Sequence, residues 1–316
     1  MGSRLIFALL AAAFAAGPAD AASFTADKLN LVDVTGTVEI VSSSATDEID
    51  VTIRQGKTYH RLLVSEDEGV VTLKGEKWRE EETRDCCNYR ITRTFDARKD
   101  RKLTTGAPVD EKFFADYPAI TITMPRRGDV SFVDARVKLK MDDIDGALDL
   151  DACYVYGEAG DAGSAVIGVV EGSRLVMGDI GSGLEIDVSG DADVKTGSAA
   201  SVDVDIAGTG DVILGDIDGM LDVSIAGSGS VRSTRLDGPL TARIAGSGAV
   251  AVKEGRADKL KAIIDGSGGV FFEGTAVRPI LKLFGSSEVQ MGAVEGRITR
   301  AGGGEVYVGG KLIERE

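Results

Sequence analysis

Ile225-Ala226-Gly227-Ser228-Gly229-Ser230-Val231 is followed by Ile244-Ala245-Gly246-Ser247-Gly248-Ala249-Val250, the same phrase with one residue changed. The phrase also runs through Val188–Val194, Ile206–Val212, Ile264–Val270, Leu283–Val289 and Arg300–Val306. Its lead glycines are Gly190, Gly208, Gly227, Gly246, Gly266, Gly285 and Gly302, with gaps of 18, 19, 19, 20, 19 and 17 residues. A fixed period of this length marks a stacked repeat.

Outward from each lead glycine, apolar residues fall at alternate positions. Two before it stand Val188, Ile206, Ile225, Ile244, Ile264 and Leu283, and four before it Ile186, Val204, Val223, Ala242, Ala262 and Leu281. Four after it stand Val194, Val212, Val231, Val250, Val270, Val289 and Val306. Polar residues lie between, so each run reads as a strand with one buried face. The glycines fall where the chain must turn a corner.

A second apolar group follows in each repeat: Leu214 and Ile217, Leu236 and Leu240, Leu260, Val277. One such unit cannot bury its apolar face alone, but stacked units share a continuous core. The expected fold is therefore all-β: a single-stranded parallel β-helix, or solenoid, with coils of about 17–20 residues. Right-handed crossovers are the default for parallel strands, which favours a right-handed coil. Coils about 4.8 Å apart would make the seven repeats a rod of roughly 30 Å. An antiparallel sandwich also needs frequent turns, but it does not need one seven-residue phrase returning in phase.

Composition agrees with a thin coil. Of 316 residues, 43% are hydrophobic but only 5% aromatic, and 41 are glycine. The formal charge of −15 disfavours nucleic acid and anionic lipid as partners. Most carboxylates occupy the polar positions of the alternation, which is how a solvated outer face looks.

The chain opens like a secretory leader, residues 1–21. Arg4 precedes the apolar run Leu5 to Ala16, Gly17-Pro18 breaks it, and Ala19-Asp20-Ala21 fits a small-x-small cleavage site. Cleavage is expected after Ala21, or after Ala22. The run is too short to span a bilayer, and no later segment is long and apolar enough. An exported protein, periplasmic or at the cell surface of a bacterium, is expected. In an oxidising compartment Cys153 would pair with Cys86 or Cys87, leaving one thiol over; the alternative is a strained bridge between the adjacent Cys86 and Cys87.

Residues 22–76 alternate around Leu29-Asn30-Leu31, Val38-Glu39-Ile40, Ile49-Asp50-Val51, Leu62-Leu63 and Val70-Val71. They read as two degenerate coils that begin the stack. Between Lys77 and Tyr117 the pattern dissolves into mixed charge around Cys86-Cys87, then Phe113, Phe114 and Tyr117. This segment reads as an insertion that packs its aromatics on the rod, and as a candidate recognition surface. Residues 118–316 form the repeat domain. In its last repeat Arg300 replaces a buried aliphatic, which suggests an end coil guarded against edge-to-edge association.

The Gly-Ser-Gly phrases at Ile225–Val231 and Ile244–Val250, with the alternating Ile, Val and Asp around them, resemble the putative autotransporter-adhesin head domain family, also called the GIN domain. The resemblance covers roughly Ile120 to Val308 and, more loosely, the start at Leu29. It implies a secreted bacterial β-helix with no agreed enzymatic activity. The insertion carrying Cys86-Cys87 departs from that pattern. Eight residues follow Val308, and no C-terminal membrane barrel is expected in them.

Catalytic chemistry finds little purchase. Sugar hydrolysis needs two carboxylates across a cleft, and Asp191, Asp193, Asp211 and Asp265 lie in turns or outward positions instead. A lyase would want a base among Arg243, Lys253 and Lys261, which are isolated. His60, the only histidine, reads as a loop residue. The glycine phrases lack the Gly-Lys-Ser/Thr of a phosphate loop and the nonapeptide of coil-bound calcium. One histidine and no second cysteine pair argue against a metal site. The expectation is a non-enzymatic binding or structural module of the cell envelope, with no cofactor and with an envelope glycan or protein as partner. The alternative is a polysaccharide lyase or hydrolase.

Overall fold

A computed structural model describes residues 20–76, 111–170 and 172–314. Most of the leader, the stretch 77–110 with Cys86 and Cys87, and the last two residues lie outside the described residues. The first strands are β1 (Asp20–Thr25), β2 (Lys28–Val32), β3 (Thr35–Ser43), β4 (Glu48–Arg54), β5 (Leu62–Asp67) and β6 (Val70–Gly75). A four-residue helix, α1 (Glu111–Phe114), leads to β7 (Ala119–Pro125) and to two long bent strands, β8 (Asp129–Met141) and β9 (Ala147–Ala159).

The regular part follows as pairs of strands, one pair per lap. These are β10 (Ser164–Val170) with β11 (Arg174–Met177), β12 (Ile180–Gly190) with β13 (Asp193–Lys195), and β14 (Ala199–Gly208) with β15 (Asp211–Ile217). Next come β16 (Leu221–Gly227) with β17 (Ser230–Asp237), β18 (Leu240–Gly246) with β19 (Ala249–Ala257), and β20 (Leu260–Gly266) with β21 (Gly269–Val277). The last are β22 (Ile280–Gly285) with β23 (Glu288–Glu295), β24 (Thr299–Gly302) with β25 (Glu305–Val308), and a short β26 (Lys311–Leu312).

From β8 onward the chain is a parallel β-solenoid of about nine turns. The first strand of each lap hydrogen-bonds the first strand of the next, and so for the second. A third, shorter side closes the coil, with Asp216-Ile217 against Arg235-Leu236. Val194, Val212, Val231, Val250, Val270, Val289 and Val306 stand in register. All seven are fully buried, each contributing roughly 1.5–3 kcal/mol of burial. Beside them Ser233 interrupts a column of Leu214, Val252, Phe272 and Met291. Its buried hydroxyl is satisfied by the carbonyls of Gly215 and Arg235 at 2.9 and 3.0 Å, which removes the cost of a bare polar group.

The corners explain the glycines. Gly227 has φ 138°, and a Cβ there would lie 2.2 Å from the carbonyl oxygen of Gly208. Backbones stack on one another at this corner, so no side chain fits. A second corner is built from aspartates. Asp143 Oδ1 accepts the amide of Asp161 at 3.0 Å, Asp161 that of Asp179 at 2.7 Å, and Asp179 that of Ser198 at 2.7 Å. Each carboxylate lies over a glycine: a Cβ on Gly178 would strike Asp161 Oδ1 at 2.1 Å. Lap is thus tied to lap by side chain as well as by ladder.

The lead-glycine reading fails at its last member. Gly190, Gly208, Gly227, Gly246, Gly266 and Gly285 are in register, but Gly302 pairs with Leu283 and Arg300 with Leu281. The first strand keeps a spacing of 19 residues, Leu283 to Gly302, while the second closes to 17, Val289 to Val306, so phrase and register part there. Arg300 reaches across this end to the carbonyls of Gly304 and Ile313, and β26 folds antiparallel over β25.

The reading of 22–76 as two coils is also corrected. Only β2 and β3 make a lap, and it lies on β8. On its far side sit β6, parallel to β2, and β7, parallel to β3. Antiparallel strands finish both edges: β5 on β6, and β4 then β1 on β7. The earliest lap in sequence is therefore enclosed between laps that come later. Alternation alone does not reveal strand direction, which is why Ile49-Asp50-Val51 looked like part of a coil.

Candidate functional site

Along β9 the alternation turns Val155 into the core and puts Tyr154 and Tyr156 on the outer side of the coil, where Tyr154 is buried and Tyr156 half-buried. Tyr156 is in register with Arg174, and Arg174 with Asp193. These residues, with Gly172, Ser173 and Asp191, line an open polar recess of about 340 Å³. Its walls are braced between laps. Gly172 donates its amide to Asp191 Oδ1 at 2.8 Å, and Val155 donates to Ser173 Oγ at 3.2 Å. Arg174 Nη2 pairs with Asp193 Oδ2 at 3.2 Å.

The aromatic group that leads into β7 packs against this place. Phe114 is buried, its ring 5.8 Å from that of Tyr154, while Phe113 lies 5.2 Å from Phe114 and 4.7 Å from Tyr117. Cys153, next to Tyr154, is buried and disulfide-bonded. The recess therefore sits where Phe113, Phe114 and Tyr117 meet the rod. The sequence alone does not single it out. The available signal was two tyrosines at outward positions of an alternating strand, in a chain poor in aromatics.

The residues weighed for catalysis do not converge. Asp193 and Asp211 are in-register neighbours on one outer face, so they stand side by side and not across a gap. Asp191 holds Gly172, Asp193 holds Arg174, and Asp211 lies 3.7 Å from Arg232. Asp265 belongs to a different face, in register with Ala245 and Phe284. Arg243 pairs with Asp222 at 2.5 Å, and Lys253 is exposed.

His60 is not the plain loop residue that the sequence suggests. It is 8% exposed, and its Nε2 lies 3.3 Å from the carbonyl oxygen of Asp33. Burial lowers its pKa, against the opposing pull of the Asp33 hydrogen bond and the charges of Glu76 and Asp33. It wedges β6 against the turn before β3. Among the described residues no group of three His, Cys, Asp or Glu is set to hold a metal ion. Nor is any helix there long and apolar enough to cross a membrane.

No family model matches the chain, and no curated protein matches it. Solved structures similar to it include a Parabacteroides distasonis ATCC 8503 protein named as a putative lipid binding protein. It has 15% identity and a TM-score of 0.43, over 92% of this chain and 97% of that one. A putative adhesin from the same organism has 14% identity and a TM-score of 0.37 over the same shares. A putative cell adhesion protein from Clostridium sporogenes ATCC 15579 has 10% identity and a TM-score of 0.19, again over 92% and 97%. Likenesses of this strength carry no argument about ligand or activity.

Proposed function

We propose that the chain is an exported, non-enzymatic binding module of the bacterial cell envelope, and that the recess from Tyr154 to Asp193 takes a glycan. The observation that carries this reading is the half-buried Tyr156 beside the Arg174–Asp193 pair, with Tyr154 buried behind it. Tyrosine rings offer an apolar face with a polar tip, which suits a sugar ring. The guanidinium and carboxylate supply donors and acceptors for its hydroxyls. The recess is at the small end of the roughly 300–1,000 Å³ range of ligand sites, so it suits the end or a short stretch of a chain. Its carboxylates are committed to bracing the laps, which favours holding a ligand over cleaving it.

Export is supported by the leader pattern and by the disulfide of Cys153, since such bridges persist in oxidising compartments. Its expected partner, Cys86 or Cys87, lies outside the described residues. Cleavage after Ala21 would shorten β1 to Ala22–Thr25, which pair with Val51 to Glu48. Membership of the GIN-domain family belongs to the same proposal and rests on the Gly-Ser-Gly phrases.

Titration calorimetry against acidic and neutral envelope polysaccharides, with and without calcium, tests the reading. A saturable heat with one glycan class, lost in Arg174→Ala and weakened in Tyr156→Ala, is expected. Release of shortened products would overturn the non-enzymatic reading in favour of a lyase or hydrolase. Binding unchanged in both variants would move the site elsewhere.

A further inference from the structure

On the outer face of the solenoid's first strands, charge is segregated along the rod. One column of in-register residues runs Glu185, Asp203, Asp222, Thr241, Lys261. The next runs Asp187, Asp205, Ser224, Arg243, Ile263, Lys282. Three laps are acidic and the following three carry the bases, with Asp265, in the row of Ala245 and Phe284, as an acid among them. The opposite outer face has no such division: its columns mix Lys195, Ile213 and Arg232, or Asp211, Ser230 and Ala249.

We infer that this face is the contact of an antiparallel homodimer. A half-turn about an axis parallel to the strands, between the laps of Asp222 and Thr241, lays the face on a second copy of itself. Strand direction is kept, so each column meets itself in reverse order. Lys261 then faces Asp203 of the second copy, Lys282 faces Asp187, and Arg243 comes beside the Asp222 lap. A half-turn about the rod axis instead would stack acid on acid and base on base. The arrangement is isologous, the commonest form of oligomer contact.

The surface is shaped for close approach. Beside these columns stand Ala207, Ala226 and Ala245 in register, and the axis passes between the last two. Phe284, 50% exposed, belongs to the same outer row and would be covered. Six laps at about 4.8 Å, with strands of about seven residues, give roughly 650 Å² per copy, within the ~1,200–2,000 Å² total of a stable interface. Pairs this near water are individually weak, so the dimer is sensitive to salt.

Sedimentation velocity of the full processed chain, across a concentration series at about 20 mM and about 500 mM sodium chloride, tests this. A dimer at low salt whose dissociation constant rises at least about tenfold at high salt is expected. Lys261→Glu with Lys282→Glu leaves Arg243 as the one base in the two columns, and Asp187→Lys with Asp203→Lys makes the facing positions basic. Neither variant should self-associate, and an equimolar mixture should form a heterodimer. All four positions point outward, and circular dichroism checks that each variant is folded. A wild-type monomer throughout, or a dimer indifferent to both substitution pairs, overturns the proposal. The wild-type series decides even where a variant does not fold.

Discussion

Between Ile180 and Gly285 every strand finds its partner one lap along the chain, about nineteen residues away. Between Asp20 and Met141 it does not: Glu39 meets Lys140 at a separation of 101 residues, and β1, β4 and β5 run antiparallel to their partners. Both regions bury the same kinds of side chain in one shared core. What differs is how far the chain must return to find its neighbour. The regular laps are held by repetition, the amino-terminal end by closure over long loops, which costs more entropy per contact.

Phe132 offers the hardest test of that contrast. It is fully buried on β8, in register with Leu31 of the enclosed lap and Leu150 of the next. Phe132→Ala should cost about 3–5 kcal/mol in urea unfolding. Hydrogen exchange should show β2 and β6 losing protection while β16 to β20 keep theirs. Equal loss in both regions would mean that the rod unfolds as one unit.

Corner glycines sharpen the comparison from the regular side. Gly227→Val, with φ 138° and backbone 2.2 Å from the added carbon, should lose at least about 3 kcal/mol. Gly69→Ala, at φ 79° with nothing within 4 Å, should lose only about 1–2 kcal/mol by the same denaturation measurement. The difference isolates stacking from local strain.

Asp161 probes the ties between laps. Asp161→Ala removes the acceptor for the Asp179 amide and should cost about 1 kcal/mol, whereas Asp161→Asn keeps an acceptor and should restore most of it. Thermal melts of the pair give the answer. Indifference to both would leave the backbone ladder as the sole tie.

The smallest effect is a pH dependence confined to the amino-terminal end. The folded state holds the His60 pKa below its ordinary 6.5, so the unfolded chain binds that proton more readily. His60 therefore contributes stability that is fully present above about pH 6.5 and drains as pH falls through its folded pKa. Urea midpoints at about pH 7.5 and about pH 5 should differ less in His60→Gln than in the wild type. Hydrogen exchange should place the change in β6 and the turn at Asp33. An unchanged pH slope in His60→Gln would remove His60 from the account.

The solenoid was legible because its side chains repeat. Val212, Val231 and Val250 sit one lap apart in sequence and one lap apart in space. The enclosed β2–β3 lap was not legible, since Leu29-Asn30-Leu31 carries the same alternation whichever strand lies beside it. Gly302 misled because the phrase survives where the register shifts. His60 was read from its lone position, and nothing local tells that Gly75 and Asp33 close around it. The recess at Tyr154 required two laps and the aromatic group at Phe113–Tyr117 to come together, whereas the carboxylates beside it are scattered singly along the chain.

The position of the β2–β3 lap also sets a timetable. A growing chain delivers its amino-terminal end first, at roughly 5–20 residues per second. The side of residues 28–43 that β8 covers must then wait about a hundred residues for it, so for several seconds at least that side stays exposed. Over that interval the alternating, β-prone ends of this protein have water or a chaperone for company, and whatever shields them decides how much of it reaches the native rod.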